Sequence, residues 1–571
     1  MKHVGILLVL LPLTAAVAEP DIRLTAVPPT EQVRQTGEVE GYSKIRIQLA
    51  KGETESYQLV VTAMLDNLRS VEAEAGEIEE ASGNPFPSDA ITWYREAYVP
   101  IRLSAPRAQL PPGLVPDPLV PFVDPYTGDP VRQPKWSGNH LEGSRFGGGR
   151  FDLWRSHHQP LWIDVHAPRD LPAGVYQGKV SVRAKGVEPV SMPIEIEVWD
   201  FELPEGPTHQ NHFGPVSRIA SYYGLKSASP EFEVLEDRYS AMLADHRINP
   251  AIPHRLLPSP DENGKVSFPA EVDAKLTEYV DRYHVTDFDI PRAPFGDPFG
   301  KNREKVLNFY RSWYEFLEGK DWADRAYFYM QDEPNDATAY EHVRDMGALV
   351  AEADPGIRKL VVEQTYTQDP EWVDIDEAID IWCPLFGFID EGTIQDALNR
   401  GDEVWSYSAL IQTAPDYHPH YEEVKDDLPP FWQIDFPSIH YRIGPWINRR
   451  YGITGLLYWS TVYWGSPDRN PWDDPGFRVR WNGDGFLMYP GIDAGIEGPI
   501  ASIRLKSLRD GMEDYEYFAL LSSLGGEDLL KEIVGEAVPT WGSFTQDAEE
   551  LYELRRRMAE AIVDLAEPPT E

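Results

Sequence analysis

Two adjacent carboxylates, Asp332 and Glu333, lie in the segment YFYMQDEPND and could carry acid–base chemistry. Cleavage of a glycosidic bond needs one carboxyl group that protonates the leaving oxygen and a second group that stabilises or attacks the anomeric carbon. A like-charged neighbour raises the pKa of a carboxyl group, which suits the acid of such a pair. The pair is therefore a candidate catalytic centre for glycoside hydrolysis.

The residues around the pair decide whether both carboxylates can reach one site. Successive strand residues point to opposite faces, so adjacent carboxylates on a strand would not normally act together. Pro334 ends strand pairing and is expected to hold Glu333 extended, which would let both side chains turn over the same opening. The alternative is that Asp332 or Glu333 only stabilises the N-terminus of a helix that starts near Asp336.

Strands that alternate with amphipathic helical stretches predict a (β/α)8 TIM barrel over residues 208–464. The eight candidate strands are HQNHFGPV near His212, INPAIPH near Asn249, VTDFDIPR near Asp287, RAYFYMQDE near Tyr329, KLVVEQTY near Val362, AIDIWCP near Ile381, EVWSYSA near Trp405 and GLLYWSTVYW near Tyr458. Active sites of such barrels lie at the C-terminal ends of the strands, which is where the pair falls on the fourth candidate.

Two further regions flank the predicted barrel. Residues 19–203 alternate short β-rich runs with turns, which is typical of a β-sandwich. Within them the Pro- and Gly-rich stretch from Pro106 to Gly149 is interpreted as a long surface loop. Residues 465–571 predict a small β region and helices packed on the barrel, because apolar positions in SIRLKSLRDGMEDYEYFALL and between Leu551 and Leu565 advance by three and four.

The first residues predict export. A basic start at Lys2, an apolar run from Val4 to Leu13 and the small-residue pattern at Ala16 to Ala18 are typical of a signal peptide over residues 1–18. No later stretch is long and apolar enough for membrane insertion. We expect a periplasmic or extracellular protein.

Charge and cysteine content exclude several classes of partner and site. The formal net charge of −42 makes nucleic acid and anionic membranes poor partners. Cys383 is the only cysteine and is predicted to be a small core residue. We predict no cofactor and no metal, since His418 and His420 lie in what looks like an exposed acidic loop. The oligomeric state stays open.

Other candidate site residues lie near the predicted strand ends. Tyr366, Tyr407 and Trp459 could supply a hydrogen bond and a stacking wall for a sugar, or could equally be core residues. Glu363 in VVEQTY is a possible nucleophile, or equally a buried structural acid paired with an arginine. The seventh candidate strand offers no carboxylate, so the 2-acetamido oxygen of the substrate could itself attack the anomeric carbon.

The chain resembles glycoside hydrolase family 123 and the wider set called domain of unknown function 4091. The DEP at the strand end, the segments GLLYWSTVYWG, NGDGFLMYPG and GPIASIRLKSLRDGMEDYEYF, and the N-terminal ESYQLVV, VPDPLVPF and PAGVYQGKV carry the resemblance. Asn470-Pro471-Trp472 departs from the family's DPW.

The resemblance implies a β-N-acetylgalactosaminidase that uses substrate-assisted catalysis. Asp332 would orient the acetamido group, and Glu333 would act as acid and then as base. Two alternatives remain: a conventional retaining glycosidase with Glu333 as acid/base and a nucleophile such as Glu363, and a carbohydrate-binding protein without hydrolytic activity.

Overall fold

The structure is a computed structural model that describes residues 20–137, 140–142, 144–465 and 469–566. The predicted signal peptide, residues 1–18, lies outside the described residues. No helix in the described part of the chain has both the length and the apolar character needed to cross a membrane.

Two sheets make up the N-terminal part. The five-stranded antiparallel sheet has the order Ile22–Val27, Thr54–Ala63, His158–His166, Ile91–Ile101, Gly113–Pro121. The six-stranded sheet has the order Phe151–Leu153, Leu68–Ala75, Gly174–Ala184, Val187–Glu202, Ile45–Lys51, with Glu79–Glu80 paired beside Gly174–Ala184. Both sheets contribute to one apolar core that includes Leu59, Ile163, Tyr176 and Ile196. The alternation of apolar residues along each strand is what supplies this shared core.

The stretch from Pro106 to Gly149 is not a simple surface loop. Gly113–Pro121 within it pairs with Ile91–Ile101 as the edge strand of the five-stranded sheet, and residues 115–121 are buried. An edge strand needs ladder donors on one side only, so it tolerates Pro116 and Pro118. The prolines hid this strand from the sequence pattern.

The central part contains a nearly closed, parallel, seven-stranded sheet. Its order is Gln210–His212, Gly455–Leu457, Glu403–Tyr407, Ile381–Trp382, Arg358–Val362, Ala326–Asp332, Phe288–Asp289. These strands overlap seven of the eight predicted segments. Helices on the outside begin and end at Pro230–Ala244, Ala270–Arg282, Arg303–Gly319, Ala337–Ala353, Glu391–Arg400, Tyr421–Val424, Ile439–Arg442 and Gly444–Tyr451.

The prediction of a strand near Asn249, the second of the eight candidates, is wrong. The segment after Asn249 carries Pro250 and Pro253, which lack the backbone donors of a ladder. Side chains bridge the gap between the two outer strands instead: the Asn249 backbone donates to Asn211 Oδ1 at 2.8 Å, and Asn249 Nδ2 donates to Asp287 Oδ2 at 3.2 Å. The sheet is thus nearly closed without a continuous ladder.

The C-terminal part is helical, as predicted, with short two-stranded sheets before it. The helices are Ile503–Ser523, Glu527–Ala537 and Ala548–Ala566. The short sheets pair Gly476–Phe477 with Trp481–Asn482, and Met488–Pro490 with Pro499–Ala501.

Buried ion pairs join the helix Ile503–Ser523 to the five-stranded sheet. Arg504 Nε lies 2.9 Å from Asp117 Oδ1 and both side chains are fully buried, while Lys506 Nζ lies 2.5 Å from Asp164 Oδ2. Burial alone would raise the pKa of Asp164, but Lys506 and Arg509 outweigh it and lower that pKa. These pairs fix the helix Ile503–Ser523 on the five-stranded sheet, because separating a buried charge from its partner is strongly destabilising.

Replacing one of these cations should destabilise the fold strongly. Arg504→Met leaves Asp117 buried without its cation, so we expect the free energy of unfolding to fall by about 3–5 kcal/mol in a denaturant titration followed by tryptophan fluorescence. Arg556→Met is the matched control, since Arg556 pairs with Glu553 and Glu560 at the surface. Its loss should stay below about 1 kcal/mol. Equal losses in the two variants would contradict the account.

Candidate active site

The carboxyl ends of three strands of the seven-stranded sheet bring the polar side chains together. Asp332 ends the strand Ala326–Asp332 and Glu333 follows it. Glu363 follows Arg358–Val362, and Tyr407 ends Glu403–Tyr407. Parallel strands place these ends at one edge of the sheet, as the sequence predicted for the catalytic pair.

Glu333 is not extended, contrary to the sequence prediction. Its φ is +39°, in the left-handed region that side chains with a Cβ adopt only at a cost. The pairing register also shifts between Tyr329 and Gln331, so the strand carries a bulge just before the pair. The turn that follows a bulged strand end, rather than an extended Glu333, directs the two carboxylates.

Two tyrosines hold the two carboxylates separately. Tyr407 Oη donates to Glu333 Oε1 at 2.5 Å, and Tyr329 Oη donates to Asp332 Oδ1 at 3.0 Å. Asp332 and Glu333 are both exposed, whereas Tyr407 is buried. Each carboxylate is therefore oriented by a hydroxyl from the strands and remains open to a ligand.

The helix after the pair does not use either carboxylate as its cap. Asp336 is the N-cap residue of Ala337–Ala353, and its side chain accepts from the Ala339 backbone at 2.8 Å. Asp336, and not Asp332 or Glu333, therefore caps the N-terminus of this helix.

A cavity of about 160 Å³ opens beside Glu333. Its lining includes Glu333, Glu363, Tyr407, Gln412 and Tyr417. A mixture of carboxyl, amide and phenol groups around a small cavity can bind the hydroxyl groups of a sugar.

Glu363 is a buried acid rather than one paired with an arginine. Tyr340 Oη and Gln368 Nε2 each donate to Glu363 Oε1 at 3.0 Å, and Gln364 Nε2 donates to the same oxygen. Burial raises the pKa of Glu363 to about 7, even though these donors oppose the shift. Its environment differs from that of the exposed Glu333.

The other predicted contacts lie in two places. The Tyr366 ring lies 6.3 Å from that of Tyr417, which lines the cavity, while Tyr366 itself is not part of the lining. Trp459 lies in an aromatic cluster with Tyr463 and Phe477, at ring distances of 5.0 and 5.4 Å. Of the three predicted contacts, the structure brings only Tyr407 into direct contact with the pair.

Comparison with known proteins gives the family. The sequence model for glycoside hydrolase 123, catalytic domain, matches residues 229–521, just over half of the chain. The chain belongs to glycoside hydrolase family 123. It is therefore a glycoside hydrolase.

One solved structure has a similar fold over almost its whole length. A family 123 glycoside hydrolase from Clostridium perfringens, described in a study of glycolipid glycan hydrolysis, has a TM-score of 0.64 and 14% identity, covering 95% of this chain and 97% of its own. A family 39 glycoside hydrolase from Bacteroides cellulosilyticus gives a TM-score of 0.32 at 10% identity over 78% of this chain and 80% of its own. The second likeness is too low to carry an argument. A search of curated proteins finds no match.

Sequence reasoning missed several groups around the pair in this family 123 enzyme. Tyr329 lies three residues before Asp332, where strand alternation would place the two side chains on opposite faces, and the bulge between them could not be seen in the sequence. Gln412 and Tyr417 lie in an irregular segment after Glu403–Tyr407, and no periodic pattern points to them. Cys383 is buried, as predicted, and also lines the cavity.

The left-handed backbone of Glu333 predicts an unusual order of stability. Glu333→Gly should be about 1 kcal/mol more stable than Glu333→Ala, because glycine adopts φ +39° without the Cβ penalty. Asp332, which lies within the strand, provides the control: Asp332→Gly should be less stable than Asp332→Ala by about 0.5–1 kcal/mol. Denaturant titration of the four variants measures both differences. The same sign at both positions would contradict a left-handed Glu333.

Proposed function

We propose that this glycoside hydrolase is an exported enzyme that removes β-linked N-acetylgalactosamine residues with retention of configuration, using the 2-acetamido group of the substrate as nucleophile. The observation that carries the proposal is the separate anchoring of the two neighbouring carboxylates, Glu333 by Tyr407 and Asp332 by Tyr329. Adjacent groups held by different partners can take different parts in one reaction.

In the first step Glu333 donates its proton to the glycosidic oxygen while the acetamido oxygen attacks the anomeric carbon. The bond between that carbon and the leaving oxygen breaks, giving an alcohol and a cyclic oxazolinium ion. Asp332 accepts a hydrogen bond from the acetamido nitrogen and stabilises the positive charge that develops there.

In the second step Glu333, now a carboxylate, takes a proton from water as the water oxygen attacks the anomeric carbon. The bond between that carbon and the acetamido oxygen breaks, and the free sugar keeps the configuration of the substrate. Two inversions at one carbon give net retention. Tyr407 stabilises the Glu333 carboxylate between the two steps by donating to Oε1.

A conventional retaining mechanism is the second candidate, because Glu363 lines the same cavity as Glu333. Three donors already occupy Oε1 of Glu363 and burial favours its neutral form, which is a poor nucleophile. The substrate-assisted route is therefore preferred.

The finer architecture belongs to the same proposal. We infer a β-sandwich over residues 19–203, a (β/α)8-type barrel over 208–464 in which the segment after Asn249 takes the second strand's place, and a C-terminal region over 465–571. The composition of residues 1–18 supports export to the periplasm or the extracellular medium. Tyr366 and Trp459 remain predicted sugar contacts.

Paired aryl glycosides test the proposed reaction. The full-length mature protein should hydrolyse 4-nitrophenyl N-acetyl-β-galactosaminide and should leave the 2-hydroxy analogue, 4-nitrophenyl β-galactoside, essentially intact, because only the former carries the nucleophile. Glu333→Gln and Asp332→Asn should each lower kcat/KM about 10²–10⁴-fold. Asp336→Asn is the matched control, since it removes a nearby carboxylate that serves the helix cap, and should change kcat/KM less than about twofold.

Two results would contradict the proposal. Comparable hydrolysis of both glycosides, with Glu363→Gln inactive, would favour the conventional mechanism. Binding of N-acetylgalactosamine without turnover of a broad glycan panel would favour a carbohydrate-binding protein.

A further inference from the structure

We propose that Glu363 is a sugar-binding residue of the active-site cavity that acts as a neutral acid, donating a hydrogen bond from Oε2 to an oxygen atom of the bound sugar. The inference rests on the proposed function and adds a sugar-binding role to the same site. It also removes Glu363 from the list of possible nucleophiles.

The hydrogen bonds of Glu363 leave one oxygen atom for a ligand. Tyr340, Gln364 and Gln368 all donate to Oε1. Among the described residues, no donor or acceptor is hydrogen-bonded to Oε2. Because Glu363 lines the cavity beside Glu333, Oε2 is the atom available to a sugar that enters.

The groups around Glu363 favour its neutral form. Glu333 faces it from the adjacent strand end, Tyr340 from the helix Ala337–Ala353, and Tyr366 and Tyr417 from the loops. Within the described ranges no lysine, arginine or histidine pairs with Glu363, and only 4% of the residue is exposed. A buried carboxylate with no cation is costly, and burial followed by the nearby Glu333 charge raises the pKa of Glu363 to about 7.

A neutral carboxyl group accepts at one oxygen and donates at the other. Here Oε1 accepts from the three protein donors, so the proton belongs on Oε2. A glutamine side chain has the same arrangement, with Oε1 accepting and Nε2 donating. Glu363→Gln should therefore preserve the contact with the sugar, whereas Glu363→Ala removes it.

Turnover of 4-nitrophenyl N-acetyl-β-galactosaminide at pH 5.5 tests the chemical role. We expect Glu363→Gln to lose less than about tenfold in kcat/KM, because the amide still donates. Glu363→Ala should lose about 100-fold, mainly through KM, since the three donors and the sugar oxygen are left unpaired. A nucleophile would behave differently: Glu363→Gln would then lose about 10⁴-fold or more in kcat, and that result overturns the proposal.

The pH dependence of binding tests the proton itself. Calorimetry with N-acetylgalactosamine uses the Glu333→Gln background, which lacks the Glu333 carboxyl group, and compares it with Glu333→Gln/Glu363→Gln from pH 5 to 9. In the single variant Kd should rise about tenfold per pH unit above a midpoint near 7, slightly lowered by the loss of the Glu333 charge. In the double variant Kd should stay constant. A Kd that is constant or falls above pH 7 in the single variant overturns the proposal.

The two hypotheses fail in distinguishable ways. A wild type that binds N-acetylgalactosamine without hydrolysing any glycoside contradicts the proposed function, while the binding comparison still decides the role of Glu363. A wild type that hydrolyses the acetamido glycoside, with Glu363→Gln and Glu363→Ala equally impaired, overturns the inference alone.

Discussion

The backbone of Glu333 passes through the left-handed region where the strand Ala326–Asp332 leaves the sheet. If the chain continued in an extended conformation, Asp332 and Glu333 would point to opposite faces of the sheet and could not share one site. The bulge between Tyr329 and Gln331 and the left-handed turn at Glu333 change that direction, and Pro334 follows directly. Strained backbone of this kind persists where surrounding contacts fix it, here the Glu333 backbone bond to Val362 O and the bond from Tyr407.

Different environments separate the roles of three carboxyl groups that lie close together. Asp332 and Glu333 are exposed and each accepts a bond from one tyrosine, so both can change partners during a reaction. Glu363 is buried, with one oxygen held by three donors. In the proposed mechanism, burial and hydrogen bonding assign these three carboxyl groups different roles: an orienting carboxylate, an acid/base and a neutral binding group.

The sequence contained most of the fold and the location of the site. Alternating strands and helices predicted seven of the observed barrel strands, and the position of the DEP motif predicted the edge at which the pair lies. The errors involve proline. A strand was predicted near Asn249, but Pro250 and Pro253 lack the backbone donors it would need and it does not form. Conversely, Pro116 and Pro118 concealed an edge strand that does form.

The remaining features depend on contacts between distant residues. Local periodicity does not reveal the left-handed backbone of Glu333. Nor does it reveal the hydrogen bond from Tyr407 to Glu333, because 74 positions separate the two residues along the chain. The buried pairs of Arg504 with Asp117 and of Lys506 with Asp164 also join distant segments. The helix Ile503–Ser523 is buried between the barrel and the five-stranded sheet, so most of its charged side chains are buried rather than exposed to solvent.

The central claim is that Asp332 and Glu333 act on a sugar that supplies its own acetamido nucleophile. A crystal structure with the thiazoline derivative of N-acetylgalactosamine, a stable mimic of the oxazolinium ion, tests it most directly. The account predicts the Asp332 carboxylate within about 3 Å of the thiazoline nitrogen and Glu333 beside the anomeric carbon. A thiazoline ring bound with its nitrogen remote from Asp332, or bound away from the Glu333 cavity, would contradict it.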